Sequence, residues 1–565
     1  MNWKINKTNL PPFLTHHLHL TLLPAAHGCG GLRFPWWRGC GLWCVSSNEN
    51  KTTAPKKFTL PKAFENAIVW FFHPVEKGVL KTMRDVIIIH ADQHRCDCLG
   101  AYGNRDVQTP HLDALARDGV IHTNHFCVFP VCTPSRYALL TGRYSSSHTG
   151  SSNYSTLPAG IETFASVLRK NGCRTAAVGK MHFTPTYLDA GFDHLVLAEQ
   201  DGPGRFDDDY HRHLKNLGLL DRIDLVDQRR EYRQNAPAEY FENFGAKVSD
   251  LPREHHSTTY ITNRALEQIS QFQEHGNLLM AGYIKPHHPF DPPAPFDTLY
   301  DPEKLALLDG GLGELSPEDE AKSPGYFPHK NLTEKTLRRV MAHYYGTITH
   351  IDEGVGEIVS ALKKAGRYDE SLILYTSDHG DYMGFHHLLL KGGFMYDPLV
   401  RIPLIVKYPA SWNKRGTDAG LSSNLCVAGT ILAACGLPLP HGMRDHNLAD
   451  GAKEMEAVFA EYNGGGRRDI MVRTKTHKLL MSGSPASERL FDLRTDPFET
   501  RDIGKDPKQA PVLQHLKHLA LEELVLNKPA YVHLDHAAPT VGAMTRQEQE
   551  SNRREMMDYM AGMMK

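Results

Sequence analysis

The stretch Met83-Arg84-Asp85-Val86-Ile87-Ile88-Ile89-His90-Ala91-Asp92-Gln93 decides the fold. Its aliphatic run is β-branched and does not alternate with polar residues, so Asp85–Ala91 reads as a strand buried on both faces. Such strands belong to parallel sheets covered by helices, and ligands gather where their carboxyl ends open into a crevice. Outward from this stretch the pattern recurs. Further strands are predicted over Arg174–Val178, Leu278–Ile284, Ser371–Thr376 and Ile402–Lys407. Helices are predicted over His111–Asp118, Ile161–Asn171, Thr258–His275 and Glu334–Ala365. The last carries Ile348, Ile351, Val355, Ile358, Val359 and Leu362 at spacings of three and four, a helical face. Strands alternating with helices predict an α/β class with a large, mostly parallel central sheet.

Past residue 440 the pattern changes to short strands: Ala457–Tyr462, Asp469–Arg473, Lys478–Met481 and Arg489–Leu493. A helix near Ala510–Leu526 follows, so a smaller antiparallel α+β subdomain is expected over 441–543 and a tail over 544–565, behind a catalytic domain over 83–440. Residues 1–82 are unlike the rest. They hold five of the six Trp and ten Lys and Arg against three Glu and no Asp, without periodicity. An atypical extension, disordered or lying upstream of a true start at Met83, is expected there in preference to a targeting segment. Two irregular stretches, 201–253 and 289–330, have the character of pocket walls. In the first, Arg229, Arg230, Arg233, Tyr232, Tyr240 and Phe241 suit a sugar or another anion, and suit a solvated loop equally well.

Composition removes several classes. A net charge of −2 over 565 residues supplies no basic field for nucleic acid. No apolar run approaches the roughly 20 residues that cross a bilayer. The ten scattered cysteines form no disulfide framework, which favours a cytoplasmic setting over a secreted or periplasmic one. An oligomer is left open.

The chemistry begins at Cys132-Thr133-Pro134-Ser135-Arg136, followed by Leu140-Thr141-Gly142-Arg143. A thiolate phosphatase loop needs Arg six residues after its Cys, and position 138 is Ala. A metal-binding thiolate is poorly supported, since no Cys or His pair sits near Cys132 at zinc spacing. The segment fits Cys-x-Pro-Ser-Arg-x-x-x-Leu-Thr-Gly at every fixed position, and through it the chain resembles the sulfatases of the alkaline phosphatase superfamily. Two strand ends extend the likeness: Asp92-Gln93 after the first strand, and Asp378-His379 after Leu372-Ile373-Leu374-Tyr375-Thr376-Ser377. This pairing resembles the subgroup that includes choline sulfatases and phosphonate monoester hydrolases. Gly179-Lys180-Met181-His182 resembles the family's Gly-Lys-Trp-His, Lys285-Pro286-His287-His288-Pro289 its Pro-His-x-Pro element, and Lys391 its sulfate-binding lysine.

The resemblance implies an alkaline-phosphatase-like layered fold and hydrolysis of a sulfated small molecule or glycan. It implies that a formylglycine-generating enzyme converts Cys132 to formylglycine. It also implies one divalent metal held by Asp92, Gln93, Cys132, Asp378 and His379. Calcium follows from the family, and the oxygen-rich set also suits Mg²⁺ or Mn²⁺. By the same likeness Lys180 and Lys391 neutralise the sulfate, Arg136 holds the formylglycine, His287 protonates the leaving alcohol and His182 deprotonates the second hydroxyl. A phosphonate monoester hydrolase or phosphodiesterase on the same scaffold is the alternative, and an inactive binding homologue is a second one.

Overall fold

The computed structural model describes residues 83–200, 207–313, 316, 319–320, 327–450, 455–464, 467–526 and 546–564; the atypical segment 1–82 lies outside them. Eight strands form the central sheet: β1 (Val86–Asp92), β2 (Val120–Phe126), β3 (Arg174–Gly179), β4 (His194–Leu197), β5 (Asn277–Pro286), β6 (Leu372–Ser377), β7 (Leu404–Lys407) and β8 (Gly416–Ser423). Their order is β4-β3-β5-β1-β6-β7-β2-β8. Only β7 runs against its neighbours β6 and β2, so the sheet is mostly parallel. β1 lies in the middle, and every one of its residues is buried.

Seven helices bear on the site and its supports: α1 (Pro110–Asp118), α2 (Cys132–Thr141), α3 (Phe164–Lys170), α4 (Arg222–Gln228), α5 (Ser257–Ser270), α6 (Glu334–Lys364) and α7 (Leu425–Ala434). Burial on both faces explains the unbroken aliphatic run of β1. Val86 and Ile88 enter one core with Leu139 and Leu140 of α2, while Ile87 and Ile89 enter the other with Ile351, Val355 and Ile358 of α6. Of the periodic face read from the sequence of α6, Ile351, Val355, Ile358, Val359 and Leu362 join this core, while Ile348 packs in a separate cluster with Phe290 and Tyr344.

A second sheet, antiparallel in the order β12-β11-β10-β9, is built from β9 (Ala457–Gly464), β10 (Arg467–Thr474), β11 (His477–Ser482) and β12 (Ser484–Asp492). Helix α8 (Ala510–Leu526) covers it through Leu516, Leu519 and Ala520. The sheet is tied to the first by the Glu461 amide, which donates to the Val128 carbonyl at 2.9 Å. Helix α9 (Arg546–Met563) occupies the tail. No helix among the described residues is long and apolar enough to cross a membrane. The seven cysteines among them are all free.

The structure differs from the sequence reading in three places. Edge strands β4 and β8 escape it, one being four residues long and the other mostly polar and part-exposed, so neither shows an aliphatic run. β2 escapes it because its run is broken by two histidines and an asparagine. The stretch expected to be irregular between 201 and 253 is largely helical where described, with short helices over Asp209–Asn216, Arg222–Gln228, Arg230–Arg233 and Ala238–Glu242. Tyr240 is interior rather than a surface grip. It is 4% exposed and packs with Phe244 and Phe327.

Candidate active site

The carboxyl ends of β1, β3, β5 and β6 place their following residues on one edge of the sheet. β1 delivers Asp92 and Gln93, β6 delivers Asp378 and His379, β3 delivers Lys180 to His182, and β5 delivers Lys285 to His288. The turn after β3 is only open to glycine. Gly179 has φ +83°, and a Cβ there would lie 2.1 Å from the Gly282 carbonyl oxygen.

Cys132 sits at the first position of α2, with Pro134 in the opening turn, where the missing amide hydrogen costs nothing. Gly142 ends the helix in the left-handed region, φ +59°, and its amide donates to the Ala138 carbonyl. The final glycine of the motif is thus a helix stop. Ser135 Oγ donates to the Asp378 carbonyl at 2.6 Å and fastens α2 to the end of β6.

Around Cys132 Sγ the groups converge. Lys391 Nζ lies 2.9 Å away, His379 Nε2 3.3 Å and Asp92 Oδ1 3.8 Å. Arg136 bridges the two acids, donating from Nε to Asp378 at 3.0 Å and from its terminal nitrogen to Asp92 at 3.1 Å. Lys180 Nζ adds a contact of 2.8 Å to Asp92. All of these groups except the half-buried Lys391 are sealed from solvent.

The electrostatics follow. Burial alone raises a carboxylate, yet Lys180, Lys391 and Arg136 together outweigh it and hold Asp92 well below its ordinary range. Asp378 is held below its ordinary value too, against burial and the neighbouring Asp92 charge, with the Arg136 guanidinium beside it. Burial, with Asp92 assisting, pushes the Cys132 thiol up. An unmodified Cys132 is therefore a poor nucleophile at neutral pH.

The donor set fits a hard divalent cation. Asp92, Cys132, Asp378 and His379 present ligand atoms that all lie within 4.8 Å of one another. His379 Nδ1 lies 2.9 Å from the Gly380 carbonyl, which can only accept, so Nδ1 carries the proton and Nε2 keeps its lone pair toward the acids. Gln93 donates from Nε2 to Asp381 at 2.6 Å, which leaves its buried Oε1 without a hydrogen-bond partner. A neutral oxygen left over in this way is what a cation site requires.

His287, Lys391 and His182 complete the constellation read from the sequence. His287 Nδ1 donates to the His288 carbonyl at 2.6 Å, so its Nε2 accepts from Lys391 Nζ at 2.9 Å. Burial, with Lys391 beside it, keeps the His287 imidazole well below its ordinary value and neutral. The His182 carbonyl accepts from Thr133 Oγ1 at 2.8 Å, which joins the β3 turn to α2. Sequence reasoning missed the supports. Asp381 accepts from Gln93 and also from the amides of Met383 and Leu390, and so shapes the loop that carries Lys391. Glu199 accepts from the amides of Met181 and His182, each at 2.9 Å. Both are acids just past strand ends, the signal used elsewhere, and Glu199 follows the short strand that was not read.

The sequence model of the Sulfatase family matches residues 84–437, and a second, described as N-sulphoglucosamine sulphohydrolase, C-terminal, matches residues 384–525. An arylsulfatase of Clostridium perfringens is 26% identical over 473 residues, covering 79% of this chain and 95% of its own. An N-acetylglucosamine-6-O-sulfatase of Bacteroides thetaiotaomicron is 26% identical over 498 residues, covering 78% and 86%. Among solved structures, the phosphonate monoester hydrolase SpPMH from Silicibacter pomeroyi superposes with a TM-score of 0.65 at 24% identity, covering 81% of this chain and 99% of its own, and shares the fold. With the family model matching well over half of its length, the chain belongs to the sulfatase family.

Proposed function

We propose that the protein hydrolyses sulfate monoesters of a small molecule or glycan, using Cys132 in its formylglycine form and one divalent cation. The observation that carries this reading is the convergence on Cys132 Sγ of Lys391 at 2.9 Å, His379 at 3.3 Å and Asp92 at 3.8 Å. Asp92, Gln93, Asp378, His379 and an oxygen at position 132 would hold a divalent cation, whose positive charge would acidify a hydroxyl and polarise the sulfate. The family favours calcium, and the imidazole ligand leaves Mn²⁺ and Mg²⁺ as contenders.

Formylglycine at 132 brings a geminal diol: one hydroxyl takes the sulfuryl group, and loss of a proton from the other expels sulfate by carbonyl formation. Cys132 is wholly buried, so a formylglycine-generating enzyme has to act before folding closes the site. The remaining work falls to fixed charges. Lys391 and Lys180 neutralise sulfate oxygens, and Arg136, bonded to both Asp92 and Asp378, holds position 132 against the acids. Lys391 and His287 share a proton across 2.9 Å, and this pair protonates the departing alkoxide. His182 takes the proton whose loss expels sulfate.

A second reading rests on one observation: the carboxamide Gln93 and the imidazole His379 stand where an all-acid set would carry two more negative charges, so the site tolerates phosphonate monoesters and phosphate diesters as well. Parallel kcat/KM values for an aryl sulfate, a phosphate diester and a phosphonate monoester decide between them, with formylglycine content verified by mass. A ratio favouring sulfate supports the first reading. Formylglycine absent and all three substrates untouched would leave an inert binding homologue.

A further inference from the structure

We infer that Gln200 is a positioning residue that fixes from behind the orientation of His287, the imidazole half of the Lys391–His287 acid pair; this rests on the sulfatase reading above. β4 runs parallel to β3, and past its end the Ala198 amide still donates to the Gly179 carbonyl at 3.2 Å. That pairing brings Glu199 and Gln200 against the Lys180–His182 turn. Gln200 is 1% exposed. Its Nε2 donates to Asp224 Oδ1 at 2.8 Å and to the His288 carbonyl at 3.0 Å, and its Oε1 accepts from Lys180 Nζ at 3.4 Å.

These partners admit one orientation of the amide. Turned over, the NH₂ would face an ammonium and the carbonyl oxygen would face a carboxylate and another carbonyl, and every contact would be repulsive. The His288 carbonyl is the acceptor that holds His287 Nδ1–H at 2.6 Å and so keeps Nε2 facing Lys391. Gln200 therefore orients the carbonyl that sets the tautomer and direction of the acid. Toward Lys180 its influence is weak: that contact is long, and Lys180 keeps Asp92 at 2.8 Å without it. The consequence is specific to steps that need a proton delivered.

The test uses full-length enzyme with formylglycine verified, Gln200→Met and Gln200→Glu variants, and two esters: 4-nitrophenyl sulfate, whose anion departs without protonation, and a simple alkyl sulfate, whose alkoxide does not. Gln200→Met removes both donated bonds at equal length, and Gln200→Glu sets a carboxylate against Asp224. Misplacing a general acid costs a large part of its usual 10²–10⁴-fold contribution, so kcat on the alkyl ester is expected to fall ~10²-fold while kcat on the nitrophenyl ester falls several-fold at most. Equal losses on both esters, no loss on either, or loss of fold in both variants overturns the assignment. Wild-type enzyme inert toward both esters would instead sink the sulfatase reading.

Discussion

Two buried acid clusters lie along the same sheet edge, and they are built to opposite ends. The first is Asp92, Cys132, Asp378 and His379; the second is Asp221, Asp224 and Asp291, whose ligand atoms also fall within 4.8 Å of one another. Each has a buried lysine: Lys180 at 2.8 Å from Asp92, and Lys285 at 3.2 Å from Asp224 and 2.5 Å from Asp291. In the first, surrounding cations overcome desolvation and keep both acids ionised. In the second, desolvation and mutual repulsion win. Burial, Asp224 and Asp291 raise Asp221 well above its ordinary value, and burial and Asp224 push Asp291 up to about 8 even against Lys285. The count of carboxylates is similar and the supply of positive charge differs. Ionised acids are ready for a cation; a cluster whose Asp221 and Asp291 are raised beside a lysine is a structural joint.

The sharpest contrast comes from removing the centre of the first cluster. Cys132→Ala is expected to lower kcat by about 10⁴-fold or more, as loss of a nucleophile does, with thermal unfolding little changed. Comparable activity in this variant would end the mechanism.

Exchanging the two lysines for methionine comes next, and the losses should fall in different columns. Lys180→Met is expected to reduce kcat/KM about 10²-fold, since it removes a charge aimed at the sulfate, while Asp92 retains Arg136 at 3.1 Å. Lys285→Met removes the lysine that contacts Asp224 and Asp291 inside this buried cluster and is expected to cost about 3–5 kcal/mol of stability by denaturant unfolding, with the folded fraction keeping most of its kcat. The reverse pattern would mean that the clusters have been assigned the wrong way round.

How legible the two were in the sequence follows from the same contrast. The first cluster was readable because each member follows a strong strand or opens a motif helix: aliphatic runs end at Asp92 and Asp378, and Cys132 heads an eleven-residue pattern. The second was invisible. Asp221 and Asp224 stand in a polar stretch that reads as loop, seventy residues from Asp291, and only the folding of α4 against the end of β5 joins them. Strands β1, β3, β5, β6 and β7 were legible through their buried aliphatic runs, while the edge strands β4 and β8, and β2 beside the edge, were not, because partial exposure lets polar residues into them. Gln200 and Glu199 shared that fate, since they depend on β4.

A finer probe is Asp221→Asn. Asp221 is raised in the folded state, so the stability tied to its proton is fully present below the unfolded value of about 4 and is lost as pH rises through the folded value. Asp291 behaves alike, its loss beginning at about pH 4 and complete once pH passes about 8. Wild-type unfolding free energy should therefore decline between about pH 4 and pH 8 from this cluster, and Asp221→Asn should flatten that slope by removing one of the two groups. An unaltered slope would show that Asp221 is ionised after all.

The smallest effect should come from ending the chain at residue 543. Helix α9 lays Met556 and Met560 against Leu220 and Leu225, and Tyr559 donates to the Leu219 carbonyl at 2.7 Å. It thus clamps α4, which carries Asp224, and touches no member of the first cluster. Full burial of a methionine is worth about 1.5–3 kcal/mol, an upper estimate because the exposed face of α4 will partly reclose. Truncation should speed amide exchange over 207–228 and raise KM a few-fold, with metal content, formylglycine content and kcat on an activated aryl sulfate all near wild type. Exchange would be the decisive readout. If it accelerates at the amides of Gln93 and His379 as strongly as at Asp224, the two clusters are one cooperative unit, and the division between a charged site and a structural joint fails.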